Sequence, residues 1–372
     1  MSTKKTSIYV KGKAYAASYA CIIQYVSRID DFKGRICNLW PDILFKVSMK
    51  PFFRKGIGDI IRKSVLLILM YIIASFSFFY DIFFYKPDIV IICRDIFSKY
   101  MAASYKRPYL RLLKNRKVIW IFDDNIKNVE ISKREWNILC ENATDIMVTH
   151  DYLKDTLPPY CQKKVSYIPQ ADGDISREIV NKFKSYRKIE YDSTVSLVWV
   201  ATASNLPNLL YVIESLDKAA NLLKEKYKKN LVLNCICNIP LGYKSKSLLI
   251  NNVTWTRQIA VEHIAKSHIG IMPLIDNDYN RGKGGFKLVQ YLTADLPSIA
   301  SNVGWNRNVV GNYAGILVND HENTSGWVDA IERLSTDYTF WQRVSNAAKE
   351  QCENKFSFEV NIIIWKNILE LN

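Results

Sequence analysis

Short apolar runs alternate with longer stretches in which apolar positions recur every three or four residues, and the alternation continues along nearly the whole chain. The runs at 7–10, 35–39, 88–93, 117–122, 144–148 and 165–168 have the length and the Val/Ile/Phe content of buried parallel strands. Between them, 14–27, 50–84, 96–114, 131–141 and 152–156 carry helical spacing. A charged, weakly periodic segment at 173–192 has the character of a linker. A second series follows, with strands at 195–200, 231–237, 253–255, 269–274, 298–301 and 315–318. Its expected helices are 207–228, 245–250, 261–267, 323–334, 339–352 and 356–370, with one more after a glycine-rich loop at 281–285. Alternating strand and helix over this length predicts α/β architecture with doubly wound parallel sheets. The expected organisation is an N-terminal domain over 1–172, a linker over 173–192, a second domain over 193–350, and a C-terminal helical tail over 351–372 that packs back on the first domain.

Composition changes this picture in three places. The eight cysteines sit mostly inside apolar runs with no Cys-x-x-Cys pair, so they read as small buried hydrophobes in a reducing compartment. Charge is segregated: residues 1–120 hold 22 Lys/Arg against 7 Asp/Glu, a difference of +15, while the remainder holds 29 of each. A basic block of this kind suits an anionic partner or an anionic membrane surface. Inside it, 65–80 is a sixteen-residue stretch without a charge, followed by Asp81. That is shorter than the roughly 20 apolar residues a spanning helix needs, so a core helix is the first reading, an interfacial helix the second and a spanning helix the third. No nucleic-acid-reading module is visible, and no His, Asp, Glu or Cys group has metal spacing; no metal, no cofactor and no nucleic-acid partner are expected.

The densest chemistry lies at 273–291. A strand ends at Pro273, a loop carries Arg281, Gly282, Lys283, Gly284 and Gly285, and a helix begins near Phe286. Glycines at a strand-to-helix turn let a ligand approach the backbone, and the first helical turn offers unpaired N–H groups to an anion. Lys283 and Lys287 stand four apart and Arg281 adds a third cation, which outlines a phosphate or diphosphate site.

The same stretch resembles the nucleotide-sugar region of bacterial family-4-like (group 1) glycosyltransferases with the GT-B fold. The resemblance rests on Pro273 and Leu274, Asp276, Tyr279, Arg281 to Lys283, Phe286 and Lys287, Gln290 and Tyr291, Leu296 and Pro297, Ala300 and Ser301, and Gly304. It implies two Rossmann-like domains facing a central cleft and, at the donor, Thr202, Ser204, Arg281, Gly282, Lys283, Gly284, Gly285, Phe286, Lys287 and Gln290. Two departures stand out. The glycines usual in the loop after the domain's first strand are replaced by Val198 and Ala201, and the two usual glutamates by Gly282 and Gln290.

In the first half, Asp123 and Asp124 follow a strand, as carboxylates near the acceptor do in the resembling family, and Thr149, His150 and Asp151 follow the next one. The aspartate pair is the candidate catalytic set, and a turn and helix cap is its competing reading. Taken together, the resemblance implies a sugar transferase, retaining in the family's usual manner. It would take a nucleotide sugar and a saccharide or lipid-linked acceptor at the cytoplasmic face of a bacterial membrane, in surface polysaccharide, lipopolysaccharide or capsule synthesis. The alternatives are a nucleic-acid-binding protein, an epimerase of the same fold and a catalytically silent relative.

Overall fold

A computed structural model describes all residues except 1–3, 14, 44–46, 48–55, 128, 169, 320–324 and 372. The start of the helix expected at 50–84, residue 14 and the first residues of the helix expected at 323–334 lie outside the described residues. The chain divides into two compact units, one of residues 1–170 with 359–372 and one of 171–358.

The first unit is a six-stranded sheet of β1 (Thr6–Val10), β2 (Arg35–Asn38), β3 (Ile89–Cys93), β4 (Lys117–Phe122), β5 (Asp145–Val148) and β6 (Val165–Tyr167). All pairs are parallel, in the order β2-β1-β3-β4-β5-β6. β1 and β3 are buried along their whole length, and β3 accordingly reads as an unbroken apolar run, while β1 opens on the buried Thr6 and Ser7. The last helix, Phe358–Ile368, supplies Trp365, whose ring stacks on Tyr25 at 5.6 Å.

The second unit holds β7 (Thr194–Val200), β8 (Asn230–Cys237), β9 (Leu249–Thr254), β10 (Ile269–Met272), β11 (Ser298–Ser301) and β12 (Gly315–Val318). They are again all parallel, ordered β12-β11-β10-β7-β8-β9. Helix Leu206–Tyr227 and the apolar face of Ser325–Thr336 bury one side of this sheet. Helix Phe286–Thr293 covers the other. Tyr291 lies so close over Gly270 that a Cβ there would meet its ring at 2.3 Å, and its hydroxyl reaches the Val198 and Ile271 carbonyls at 3.2 Å.

Three expectations change. Residues 177–190, inside the expected linker, form a helix of the second unit that starts at the Ser176 cap, and Arg187 on it is buried. The helix expected at 245–250 is absent: three backbone N–H groups, of Lys246, Ser247 and Leu248, bond the Asp217 carboxylate, and the chain enters β9 at Leu249. The helix expected at 96–114 is broken into short 3-10 turns and the helix Lys106–Leu113, because Ser98 takes a left-handed φ of +52° and Met101 and Ala102 are extended; the Ile96 and Phe97 N–H groups before the break are held by the buried Glu135 carboxylate.

One buried residue makes stability pH-dependent. The Ser196 N–H donates to His268 Nδ1 at 3.0 Å, so Nε2 carries the proton and donates to the Arg187 carbonyl at 2.9 Å. Burial, with Arg187 and Lys229 nearby, holds this imidazole down to about 4 against an ordinary 6.5. Above pH 6.5 it is neutral folded or unfolded. As pH falls from 6.5 toward 4 the unfolded chain takes up a proton that the folded chain refuses, and stability should drop by about 3 kcal/mol. Urea titrations at pH 7 and pH 4.5 should show this loss, and His268→Asn should lack most of it. Equal losses in both proteins would assign the acid sensitivity to other groups.

Candidate functional site

Each sheet has one place where strand order reverses. In the second unit it falls between β7 and β10, which are neighbours with successive strands running outward on either side. Ligands of open α/β sheets collect outside the strand carboxyl ends at such a point. The loops that leave β7 and β10 there carry Thr202 and Ser204 on one side and Asp276 to Lys287 on the other, so the fold brings together residues some eighty positions apart.

The loop after β10 is tightly tied. Asn208, buried near the start of helix Leu206–Tyr227, accepts from the Ile275 N–H at 3.0 Å and from the Asn280 side-chain amide at 2.9 Å. A single helical turn, Asp278–Arg281, follows, capped by Asn277. Gly304 has φ +55°, and a Cβ on it would meet the Arg281 carbonyl oxygen at 2.5 Å, so the glycine lets the chain after β11 pass directly against this turn. Gly285, at φ +77°, then starts helix Phe286–Thr293. No side-chain hydrogen bond caps that helix.

The cations are arranged differently from the sequence expectation. Arg281 is bound by Asp276 through two hydrogen bonds, 2.5 and 3.0 Å, so its charge is balanced within its own loop rather than offered as a third cation. Lys283 lies before the helix, not on it, so it and Lys287 are not a helical i,i+4 pair. Lys283 is buried, with its ammonium 4.4 Å from the Tyr279 ring centre, a position that lowers its hydration. Gly282 and Gly284 are buried beside it, while Phe286 and Lys287 are half-buried. Gln290 donates to the buried Asp172 carboxylate at 2.9 Å, and the other Asp172 oxygen accepts from the Asp174 and Ile175 N–H groups. Burial raises Asp172 above the usual carboxylate range. The Gln290 amide therefore fixes the chain at 172–175 as well as the helix. Thr202 and Ser204 lie on the exposed turn Ala203–Asn205, hydroxyl to hydroxyl at 3.0 Å, with the Ala203 N–H held by Asn238 at 2.8 Å.

In the first unit the order reverses between β1 and β3. Here the strand ends carry a buried charge cluster of which sequence reading found only two members. Arg94, directly after β3, is 2 % exposed and sits at φ +68°. Its guanidinium donates to Asp123 at 2.5 Å, Asp124 at 3.1 Å and Glu130 at 2.8 Å. Lys11, directly after β1, bonds Asp95 at 2.8 Å and lies 3.6 Å from Glu130. Gln170 donates to the second Asp123 oxygen at 3.0 Å. Burial opposes charge on Arg94, but Glu130, Asp123 and Asp124 outweigh it and raise the group further. Asp123 is pushed up to about 6 by burial and by Asp124, against the pull of Arg94. The cation that meets the aspartate pair is thus Arg94 of the same sheet. Lys11, Arg94 and Asp95 went unnoticed although each is a charge placed immediately after an apolar strand, the signal that picked out Asp123.

His150, also at a strand end, is 1 % exposed, and its carbonyl accepts from Leu153 at the start of helix Asp151–Asp155. It is a buried structural residue at that helix start, with Thr149 buried beside it.

Comparisons with known proteins agree with this geometry. Residues 196–337 match the family model of the glycosyl transferases group 1, a segment that contains both strand-end loops of the second unit. No curated protein matches the chain. Among solved structures, Anabaena HepE in complex with UDP-glucose superposes with a TM-score of 0.65 at 9 % identity, over 99 % of this chain and all of that one. A sucrose-phosphate synthase from Thermosynechococcus elongatus gives 0.66 at 13 % identity, over 99 % and 98 %. A glycosyltransferase from Rickettsia africae gives 0.62 at 12 %, over 100 % and 98 %. At these identities the likeness establishes the fold, which is GT-B.

Proposed function

For a chain with the GT-B fold whose residues 196–337 match the family model of the glycosyl transferases group 1, we propose a transferase that takes a sugar from a nucleoside-diphosphate sugar. The second unit binds the donor. The observation that carries this reading is Lys283, buried at the carboxyl end of β10 beside an uncapped helix start at the point where strand order reverses. A poorly hydrated cation beside the positive end of a helix stabilises a diphosphate as negative charge grows on the leaving group. Lys287, in the first turn of the helix, adds to the same field. UDP is the first nucleotide to test, since Anabaena HepE was solved with UDP-glucose.

The first unit binds the acceptor, a saccharide or lipid-linked saccharide hydroxyl of the kind used in surface polysaccharide synthesis. Asp124 is the group that accepts the hydrogen bond of that hydroxyl, because its side chain is 24 % exposed against 9 % for Asp123. Asp123 holds Arg94 in place. Retention at the anomeric carbon follows from the family resemblance, and product anomer by NMR tests it.

Calorimetric titration with UDP and other nucleoside diphosphates should give saturable binding. Lys283→Ala and Lys287→Ala should each weaken it by about 10- to 100-fold, the loss of a charge-assisted contact worth about 1.5–3 kcal/mol. Unchanged affinity in both variants would remove the donor site from this loop.

A further inference from the structure

Helix Gly56–Tyr80, continued by the turn Asp81–Tyr85, is apolar on both of its long faces, but only one of them is buried. Leu66, Met70, Ala74 and Phe78, spaced by four, lie in the core, where the Phe78 ring meets Tyr9, Phe97 and Tyr109 within 6 Å. On the opposite side Ile61, Ile68, Ile72, Phe76, Phe79 and Phe83 form a second stripe open to solvent, with Ile68 58 % and Phe76 72 % exposed. A run of this size is unusual on a soluble surface and marks a site that something apolar covers.

The surrounding charge says what covers it. Within this helix and its continuing turn the acidic residues are Asp59, paired with Arg62 and Lys63, and Asp81, which is buried and bonded to Tyr9 at 2.7 Å and Arg35 at 2.5 Å. The neighbouring helix Lys106–Leu113 and the residue after it present Lys106, Arg107, Arg111 and Lys114 to solvent, and the Arg111 guanidinium lies 4.7 Å over the Phe83 ring. An apolar stripe bordered by cations, in the part of the chain that holds all of the net charge, complements an anionic lipid surface.

We propose that this face lies in the interface of an anionic bilayer, with the stripe among the acyl chains and the cations at the headgroups. The helix lies flat there and does not cross. Its inner stripe is part of the sheet core, and its end is fastened through the Asp81 side chain and through the Asp81 carbonyl, which accepts from Arg116 at 3.1 Å, so spanning would open that core. The proposal stands independently of the glycosyl-transfer reading, because its test uses no nucleotide and no sugar.

The full chain is floated with phosphatidylcholine vesicles, alone or containing about a third phosphatidylglycerol, at low and high salt. Expected is binding to the anionic vesicles that weakens as salt screens the headgroups. Ile72→Glu with Phe76→Glu should abolish it. Arg107→Glu with Arg111→Glu should lower it by more than about 25-fold, each lost cation counting for about fivefold. These side chains are exposed, and an unchanged thermal midpoint shows that each variant is folded. Wild-type protein left with the supernatant, or variants that bind as well as wild type, would overturn the proposal. Binding that survives alkaline washing would overturn it in favour of a spanning helix. A concentration-dependent dimer, abolished by Ile72→Glu with Phe76→Glu and accompanied by no vesicle binding, would assign the face to a second copy of the chain.

Discussion

Arg94→Met should cost the first unit about 3–5 kcal/mol, a large part of the roughly 5–15 kcal/mol a domain usually possesses. Methionine fills similar volume but leaves Asp123, Asp124 and Glu130 without the guanidinium that now donates to all three. Lys11 remains, engaged with Asp95. Removing one partner of a buried ion cluster is more destabilising than never having built it, because the uncompensated charges stay in a poorly solvated place. Urea denaturation of variant and wild type at pH 7 measures the difference. The sign of its pH dependence follows from the same cluster. Without Arg94 the folded-state carboxylates bind protons more tightly than in the unfolded chain, so the deficit should shrink as pH falls from 7 to 5. Arg94→Lys should not rescue fully, because a single ammonium cannot reproduce the fork that reaches three carboxylates. A deficit below about 1 kcal/mol at pH 7, with no pH trend, would mean that the carboxylates are hydrated well enough to need no guanidinium.

Asp124→Asn should lower sugar-transfer turnover by about 10²–10⁴-fold, the range usual for a positioned acid–base or hydroxyl-binding carboxylate. Asparagine keeps the shape and an acceptor oxygen but gives up the charge. Nucleotide affinity should be unchanged, since the donor loop belongs to the second unit, and the melting midpoint should move little because Asp123 and Glu130 still hold Arg94. That pattern separates Asp124 from Asp123, whose replacement by Asn should lower stability first by weakening the shortest Arg94 contact. Calorimetry, thermal melting and a radiolabelled transfer assay on the two variants decide between them. Transfer at the wild-type rate by Asp124→Asn would return this carboxylate to a purely structural role.

Much of the fold is legible in local pattern. A parallel strand buried on both faces is mostly apolar, so β3 and β10 appear as short unbroken runs and β1, β4 and β7 as runs with few polar positions, wherever they stand in the chain. The loop at 281–285 is legible for a related reason: a close backbone passage and a left-handed turn restrict the choice to glycine, and Gly285 and Gly304 carry those constraints in their own identity. Where the backbone leaves the helical region for reasons outside residue type the pattern misleads. Residues 96–114 have helical spacing, but Ser98 takes φ +52° and Met101 is extended, so only Lys106–Leu113 forms the helix. At 245–250 the Asp217 carboxylate, about thirty positions earlier, holds three N–H groups and the chain enters β9 at Leu249.

Charge partners are set by the folded arrangement. A salt bridge leaves no periodic trace, because its members need share only a position in space. Lys11 meets Asp95, and Arg94 meets Asp123, through strand order β1-β3-β4, which places at one edge residues that follow three different strands. Gln290 and Asp172 come together across 118 positions, and Arg281 is balanced by Asp276 five residues away although it reads as a spare cation. Two parallel α/β sheets, and a cation- and glycine-bearing loop after β10, are written into residue type, since burial and backbone geometry constrain it one position at a time. Only the folded chain decided which of the charged residues are already neutralised, because neutralisation depends on distance between side chains, which strand order and loop path set.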